Sequence, residues 1–226
     1  MALVLKGKKL NLTINSNMII GVMGKEREVF FKSLKGNNLS YVSIINSYNG
    51  NVQEIIKKYY HGDLAEFKKN LLLILDEFGL NEDILNYDYA NLSDSEKSLL
   101  RYILLFINKP KIIVIDEPFL SLDYAYKKKL IALFRKIIYQ TNLTIIVGSN
   151  SSDLIYELCK KVLLIKNNEY YYGEKEKVLT NSSILEKYDI IKPKLVQFVD
   201  IVREKQIHLD YVCDVRDLIK EVYKNV

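Results

Sequence analysis

Residues Leu92–Asp123 read LSDSEKSLLRYILLFINKPKIIVIDEPFLSLD, and this stretch decides the fold. Ser93 followed by Glu96 is a capping box, in which each side chain serves the other residue's backbone N–H. The helix it opens is predicted over Ser93–Ile107, because Leu99, Leu100, Ile103, Leu104 and Ile107 share one face. Pro110 closes that region. The run Ile112–Ile115 is β-branched, apolar and of strand length, and Asp116 ends it. A carboxylate delivered by a strand end can hold Mg²⁺, usually through water, and Mg²⁺ neutralises phosphate charge. Glu117 beside it can orient and polarise an attacking water. Read alone, the acidic pair is more simply a surface turn, and LSDSE more simply a plain helix cap. A helix start also offers free N–H groups and a positive dipole end to an anion, so the cap and the phosphate-site readings are compatible.

Outward from this stretch, apolar runs alternate with helical patterns. Strands are expected at Leu10–Ile14, Met18–Met23, Leu39–Ile45, Thr144–Val147, Val162–Ile165 and Glu169–Tyr172. Helices are expected at Glu28–Leu34, Val52–Tyr60, Leu64–Phe78, Lys127–Tyr139 and Ser152–Lys160. Asn167-Asn168 reads as a hairpin turn. Alternation of this kind implies an α/β fold with a mostly parallel sheet.

The order LS-x-x-E, helix, P-K-[apolar]4-D-E-P, x-x-S-L-D resembles the signature motif, Walker B and D-loop of ABC ATPases. The downstream segment TIIVGSNSSDLIYELCKKVLLIKNNEYYYGE (Thr144–Glu174) resembles the family's switch strand, following helix and closing hairpin. The tail ILEKYDIIKPKLVQFVDIVREKQIHL (Ile184–Leu209) resembles the C-terminal extension of energy-coupling-factor (ECF) transporter ATPases. On it, Leu195, Val196, Phe198, Val199 and Val202 read as one apolar stripe, which either packs on its own domain or pairs subunits. The resemblance implies a P-loop NTPase-like ABC core over residues 1–180, shortened in its N-terminal half, and a helical extension over residues 181–226. It implies ATP and Mg²⁺ as cofactors, with Asp116 on the metal through water and Glu117 as the base. It assigns nucleotide contacts to Gly21, Gly24, Lys25, Arg27, Ser93, Asp94, Ser95, Glu96, Asp123 and Ser149.

The phosphate-binding loop departs from the family. GxxxxGK[ST] is expected, with backbone N–H groups cradling phosphates, Lys reaching the outer ones and the hydroxyl on Mg²⁺. Ile19–Leu34 reads IIGVMGKEREVFFKSL. Gly21 and Gly24 stand in place, but Glu26, Arg27 and Glu28 occupy the positions of Gly, Lys and Ser/Thr. A guanidinium fork is not a compact ammonium. A carboxylate about 5 Å from a phosphate repels it by roughly 3 kcal/mol per unit pair at an effective dielectric near 20. That is comparable to about two decades of affinity. The Q-loop glutamine falls at Ile44 and the switch histidine at Ser149. The signature glycines are Asp94 and Ser95, and the adenine-stacking aromatic has no clear counterpart. The histidines, His61 and His208, lie elsewhere. The segment reads as an ordinary strand-to-helix turn or, as the resemblance implies, as a degenerate Walker A on a scaffold that keeps its strands, Asp116, Glu117 and Ser121-Leu122-Asp123.

Composition bounds the rest. The 226 residues suit one domain with an appendage. A chain with 49% hydrophobic and 27% charged residues is globular in composition. The net charge of +5 permits an anionic partner without demanding one. Lysine runs such as Lys127–Lys129 read as solvated helix face, and basic residues are not read as interleaved with aromatics, so no direct nucleic-acid contact is expected. Cys159 and Cys213 form no CxxC pair and no zinc pattern. Met1–Asn11 is basic without a signal-length apolar stretch, and no run reaches about 18 apolar residues. The expectation is a cytoplasmic protein, peripheral at the inner face of the cell membrane through a transmembrane coupling subunit. Its other partner is a second ABC ATPase, in a homo- or heterodimer, with hydrolysis only in the complex. The alternatives are an active ATPase using Arg27 or Lys25, and a soluble ABC-like regulator or nucleic-acid-associated protein.

Overall fold

The computed structural model describes residues 2–6, 11–15, 17–34, 39–42, 48–120 and 122–224. In chain order they form β1 (Ala2–Lys6), β2 (Asn11–Asn15), β3 (Ile19–Met23), α1 (Arg27–Ser33), β4 (Leu39–Val42), α2 (Val52–Tyr59) and α3 (Leu64–Phe78). Two 3₁₀ turns, Glu82–Asn86 and Tyr89–Asn91, precede α4 (Asp94–Phe106), β5 (Ile112–Asp116), α5 (Tyr124–Gln140), β6 (Thr144–Gly148) and α6 (Ser152–Leu158). Then come β7 (Lys161–Lys166), β8 (Glu169–Glu174), α7 (Lys175–Leu179), α8 (Ser182–Lys187), α9 (Lys194–Glu204) and α10 (Val215–Lys224). The fold is α/β with a mostly parallel sheet, as the alternation predicts.

The chain divides into two compact units, Met1–Lys35 with Ile146–Val226, and Gly36–Ile145. In the first, β3 pairs in parallel with β7, Ile20 facing Lys161 and Met23 facing Leu164. The edge strand β8 returns antiparallel along β7. Strand β3 is buried at every position, and β7 at its four central ones. Strands covered on both faces read as unbroken apolar runs rather than alternating ones. Asn167 and Asn168 take positive φ, 51° and 59°, as the tight hairpin requires. β1 and β2 pair antiparallel, Ala2 facing Asn15.

In the second unit β4 pairs in parallel with β5, Leu39 facing Ile112, and Thr144 N donates to Lys111 O at 3.0 Å as β6 begins. α3 is capped by Asp63, whose Oδ1 accepts from Ala65 N at 2.9 Å. Gly79, at φ +66°, ends it in the left-handed turn that glycine favours. The core gathers Phe78, Tyr102, Phe106, Phe119 and Phe134, the last fully buried. Tyr102 donates its hydroxyl to Pro118 O. Burial pushes the phenol pKa well above its usual range, Arg101 opposing. This bond fixes the backbone just beyond Glu117. Tyr102→Phe would leave the Pro118 carbonyl without that donor and is expected to lower unfolding free energy by about 1–2 kcal/mol, read from the urea midpoint.

Several sequence expectations need correction. β1 is not among the expected strands, although Ala2–Leu5 is an apolar run in an otherwise basic segment. The helix expected from Lys127 starts at Tyr124, because Asp123 caps it. The helix expected to reach Lys160 stops at Leu158, because the chain must extend to enter β7. α10 is not among the expected helices either. The strand expected over Leu39–Ile45 ends at Val42 among the described residues, and the rest of it, with Ile44, lies outside them. The single tail stripe divides: Val196 and Val199 are buried, Leu195 and Val202 half-buried, and Phe198 is 44% exposed.

Candidate functional site

In the unit formed by residues 1–35 and 146–226, β3 delivers the chain into a tight turn at Gly24, whose φ is +125°. A Cβ there would lie 2.0 Å from Ile165 O of β7, so only glycine fits. At Gly21 a Cβ would meet Ile155 Cγ2 at 2.5 Å. Packing within the fold therefore accounts for glycine at both positions. Lys25 is exposed.

Glu26 turns its carboxylate to the β7–β8 turn. Oε1 accepts from Asn167 N at 2.7 Å and Oε2 from Asn168 N at 3.1 Å. Arg27 is 7% exposed and donates Nη1 to Asn150 Oδ1. Glu28 is exposed and faces Lys32 at 3.9 Å, a surface pair of small energetic weight. Ser149 is fully buried; its N donates to Val22 O at 3.2 Å and its Oγ accepts from Ser151 N at 3.1 Å. The structure thus joins the loop, the end of β6 and the hairpin tip through Asn150, Asn167 and Asn168. The sequence carries no functional signal for the first of these. It shows the other two only as a turn, yet that turn presents consecutive N–H groups to one carboxylate.

In the unit Gly36–Ile145, the capping box is present. Ser93 Oγ accepts from Glu96 N at 3.3 Å, and Ser93 N donates to Glu96 Oε2 at 2.8 Å. Ser93 and Asp94 are exposed, and Ser95 and Glu96 are half-buried. Asp116 ends β5 half-buried, and Glu117 follows in the left-handed region at φ +47°. Such a conformation costs a non-glycine residue roughly 1 kcal/mol and tends to occur at functional sites. Asp123 caps α5, its Oδ1 accepting from Tyr126 N at 2.9 Å. Ser121 lies outside the described residues. Among the described residues no group of three or more His, Cys, Asp and Glu could by itself hold a metal ion. Asp116 is the side chain of this unit that could meet Mg²⁺, with the remaining ligands supplied by phosphate and water.

The lysine run of α5 has more structure than a plain solvated face. Lys127 Nζ lies 5.5 Å from the Phe119 ring centre. Lys128 Nζ lies 4.6 Å from that of Tyr124, and Lys129 Nζ lies 5.5 Å from that of Tyr126. Ammonium groups over ring faces at these separations are cation–π contacts. These lysines therefore have ring partners within the chain, three to eight residues away.

No protein-family model matches the chain. It is 29% identical over 130 residues to an uncharacterised ABC transporter ATP-binding protein of Methanocaldococcus jannaschii, covering 57% of this chain and 45% of that one. It is 26% identical over 161 residues to an energy-coupling factor transporter ATP-binding protein of Mycoplasmopsis synoviae, covering 71% and 51%. The chain spans about half the length of such curated relatives. Its fold matches cbiO1 of Clostridium perfringens, part of the ABC transporter complex cbiONQ, at TM-score 0.65 and 14% identity, covering 87% and 96%. In sequence the chain is similar to ABC transporter ATP-binding proteins, and its α/β fold matches that of solved ABC transporter ATP-binding subunits.

Proposed function

We propose that the chain is the ATP-binding-cassette subunit of an ECF-like importer, and the degenerate half of an ATPase pair. It lends the N-terminus of α4, with Ser93, Asp94, Ser95 and Glu96, to a partner's ATP site. Its own loop serves structure rather than nucleotide. One contrast carries this reading. Glu26 and Arg27, at the positions that should meet phosphate, are bonded inside the chain, while Ser93 and Asp94 stand exposed at an ordered helix start. The loop's donor set does not fit Mg·triphosphate, because two carboxylates replace a glycine and a hydroxyl. No step is therefore assigned to its own site.

The isolated chain is expected to bind ATP·Mg in the millimolar range or not at all. Calorimetric titration reads this directly, and a low-micromolar dissociation constant would establish the other reading, a working ATPase using Lys25 or Arg27.

No helix among the described residues is long and apolar enough to cross a membrane. Attachment at the cytoplasmic face is assigned to a transmembrane coupling subunit, and pairing to a second ATPase subunit through residues 181–226. On α9, Phe198 and Ile201 are exposed while Val196 and Val199 are buried. Phe198→Asp should then lower pairing by about tenfold or more in sedimentation velocity and leave the monomer's circular dichroism intact. Val199→Asp should unfold the monomer instead, since it buries a charge. The lysine–aromatic cluster of α5 favours one competing reading, a nucleic-acid-associated protein. Steeply salt-dependent binding of an oligonucleotide would support it.

A further inference from the structure

The β7–β8 hairpin is held on two sides. Toward the loop, Asn167 N and Asn168 N donate to Glu26, and the Tyr170 ring lies 6.3 Å from that of buried Phe30 on α1. Toward the C-terminal segment, Lys166 Nζ lies 2.9 Å from Asp189 Oδ2 and donates to Lys187 O at 2.8 Å. Glu169 Oε2 lies 2.8 Å from Lys187 Nζ, and the Tyr171 ring is 6.4 Å from that of buried Tyr188. The division follows strand geometry: Glu169 and Tyr171 share one face of β8, and Tyr170 has the other. Each exposed ion pair is individually weak. Together with the ring contact they join the hairpin to the end of α8, where Asp189 takes φ +55°.

We propose that this hairpin couples the loop after β3 to the C-terminal extension, with Glu26 as the positioning residue at the loop end and Lys166 at the other. A change of loop conformation withdraws or restores the carboxylate that holds the turn. The turn carries Lys166 and Glu169, and these anchor Lys187 and Asp189. Coupling is reciprocal by linkage, so a force on the extension reaches the loop. The proposal needs no nucleotide and no partner, so it stands or falls separately from the importer reading.

The test is amide hydrogen exchange on the full chain, comparing wild type, Glu26→Gln and Lys166→Met. The glutamine side chain keeps the size of the glutamate but has one acceptor oxygen for two donors. In Glu26→Gln, the amides of Asn167 and Asn168 should exchange about tenfold faster. Those of Asp189 and Ile190, bonded to Glu186 O and Leu185 O, should exchange about threefold faster. In Lys166→Met, Asp189 and Ile190 should accelerate, and Arg27 and Phe30, bonded to Gly24 O and Glu26 O, should follow. Acceleration confined to Asn167 and Asn168 would overturn the coupling. So would a uniform rise across the chain, including Gln197 in α9, because it reports global destabilisation rather than a connected path.

Discussion

Ser93→Arg is expected to cut the ATPase turnover of the purified two-subunit complex by about tenfold or more, by placing a long cation where the partner's phosphates should meet the start of α4. Ser93 is exposed, so the new side chain has room without disturbing the core. The substitution also removes the capping oxygen that accepts from Glu96 N, a loss that costs about 1 kcal/mol of helix stability. Ser93→Ala separates the two effects, because it loses the cap and adds no bulk; its turnover should fall far less. Glu117→Gln is the counterpart. In the paired arrangement that the resemblance implies, a site using Asp116 and Glu117 depends on this chain's own loop, where Glu26 and Arg27 are already bonded internally. Turnover should therefore fall by no more than about twofold, against the orders of magnitude that loss of a working base would bring. Asp94, exposed beside Ser93, would bring a carboxylate toward the partner's γ-phosphate, and Asp94→Gly should raise the rate. A large loss from Glu117→Gln with none from Ser93→Arg would reverse the assignment and make this chain an active ATPase with an unorthodox loop.

Gly24→Ala is expected to destabilise the chain by roughly 4 kcal/mol, combining backbone strain with overpacking. Gly24 sits at φ +125°, and the added Cβ would stand 2.0 Å from Ile165 O. That oxygen belongs to the backbone of β7, which is held between β3 and β8, so it cannot move aside as a flexible side chain would. Gly50→Ala provides the comparison. Gly50 also has positive φ, +97°, yet nothing lies within 4 Å of its added Cβ. It should lose only about 1 kcal/mol, the strain alone. Denaturant titration of both variants reads the difference. If Gly24→Ala costs no more than Gly50→Ala, β7 does not press on the turn.

The strands and helices are largely legible in the sequence because their signals are local. β3, β5 and β6 are short buried runs, and α3 and α4 carry their caps and apolar faces within their own residues. The candidate residues Asp116 and Glu117 follow from a strand end, and Ser93 with Glu96 from a capping box. β1 escapes because its apolar run, Ala2–Leu5, is too short to be told from other apolar runs by periodicity, and pairing with β2 is what makes it a strand. α9 reads as one stripe because periodicity cannot say which half of an apolar surface its own domain covers.

The sequence by itself determined the α/β alternation, the order of LSDSE, the strand-end Asp116-Glu117 and Ser121-Leu122-Asp123, and the presence of Glu26, Arg27 and Glu28 after Gly24. Only the tertiary structure decided where those side chains go. Glu26 binds the N–H of Asn167, 141 residues away, and Arg27 binds Asn150, 123 residues away. Caps and periodicities are set by neighbours within a turn or two of chain, whereas the partner of a loop side chain depends on which distant segments the packed sheet lays beside it.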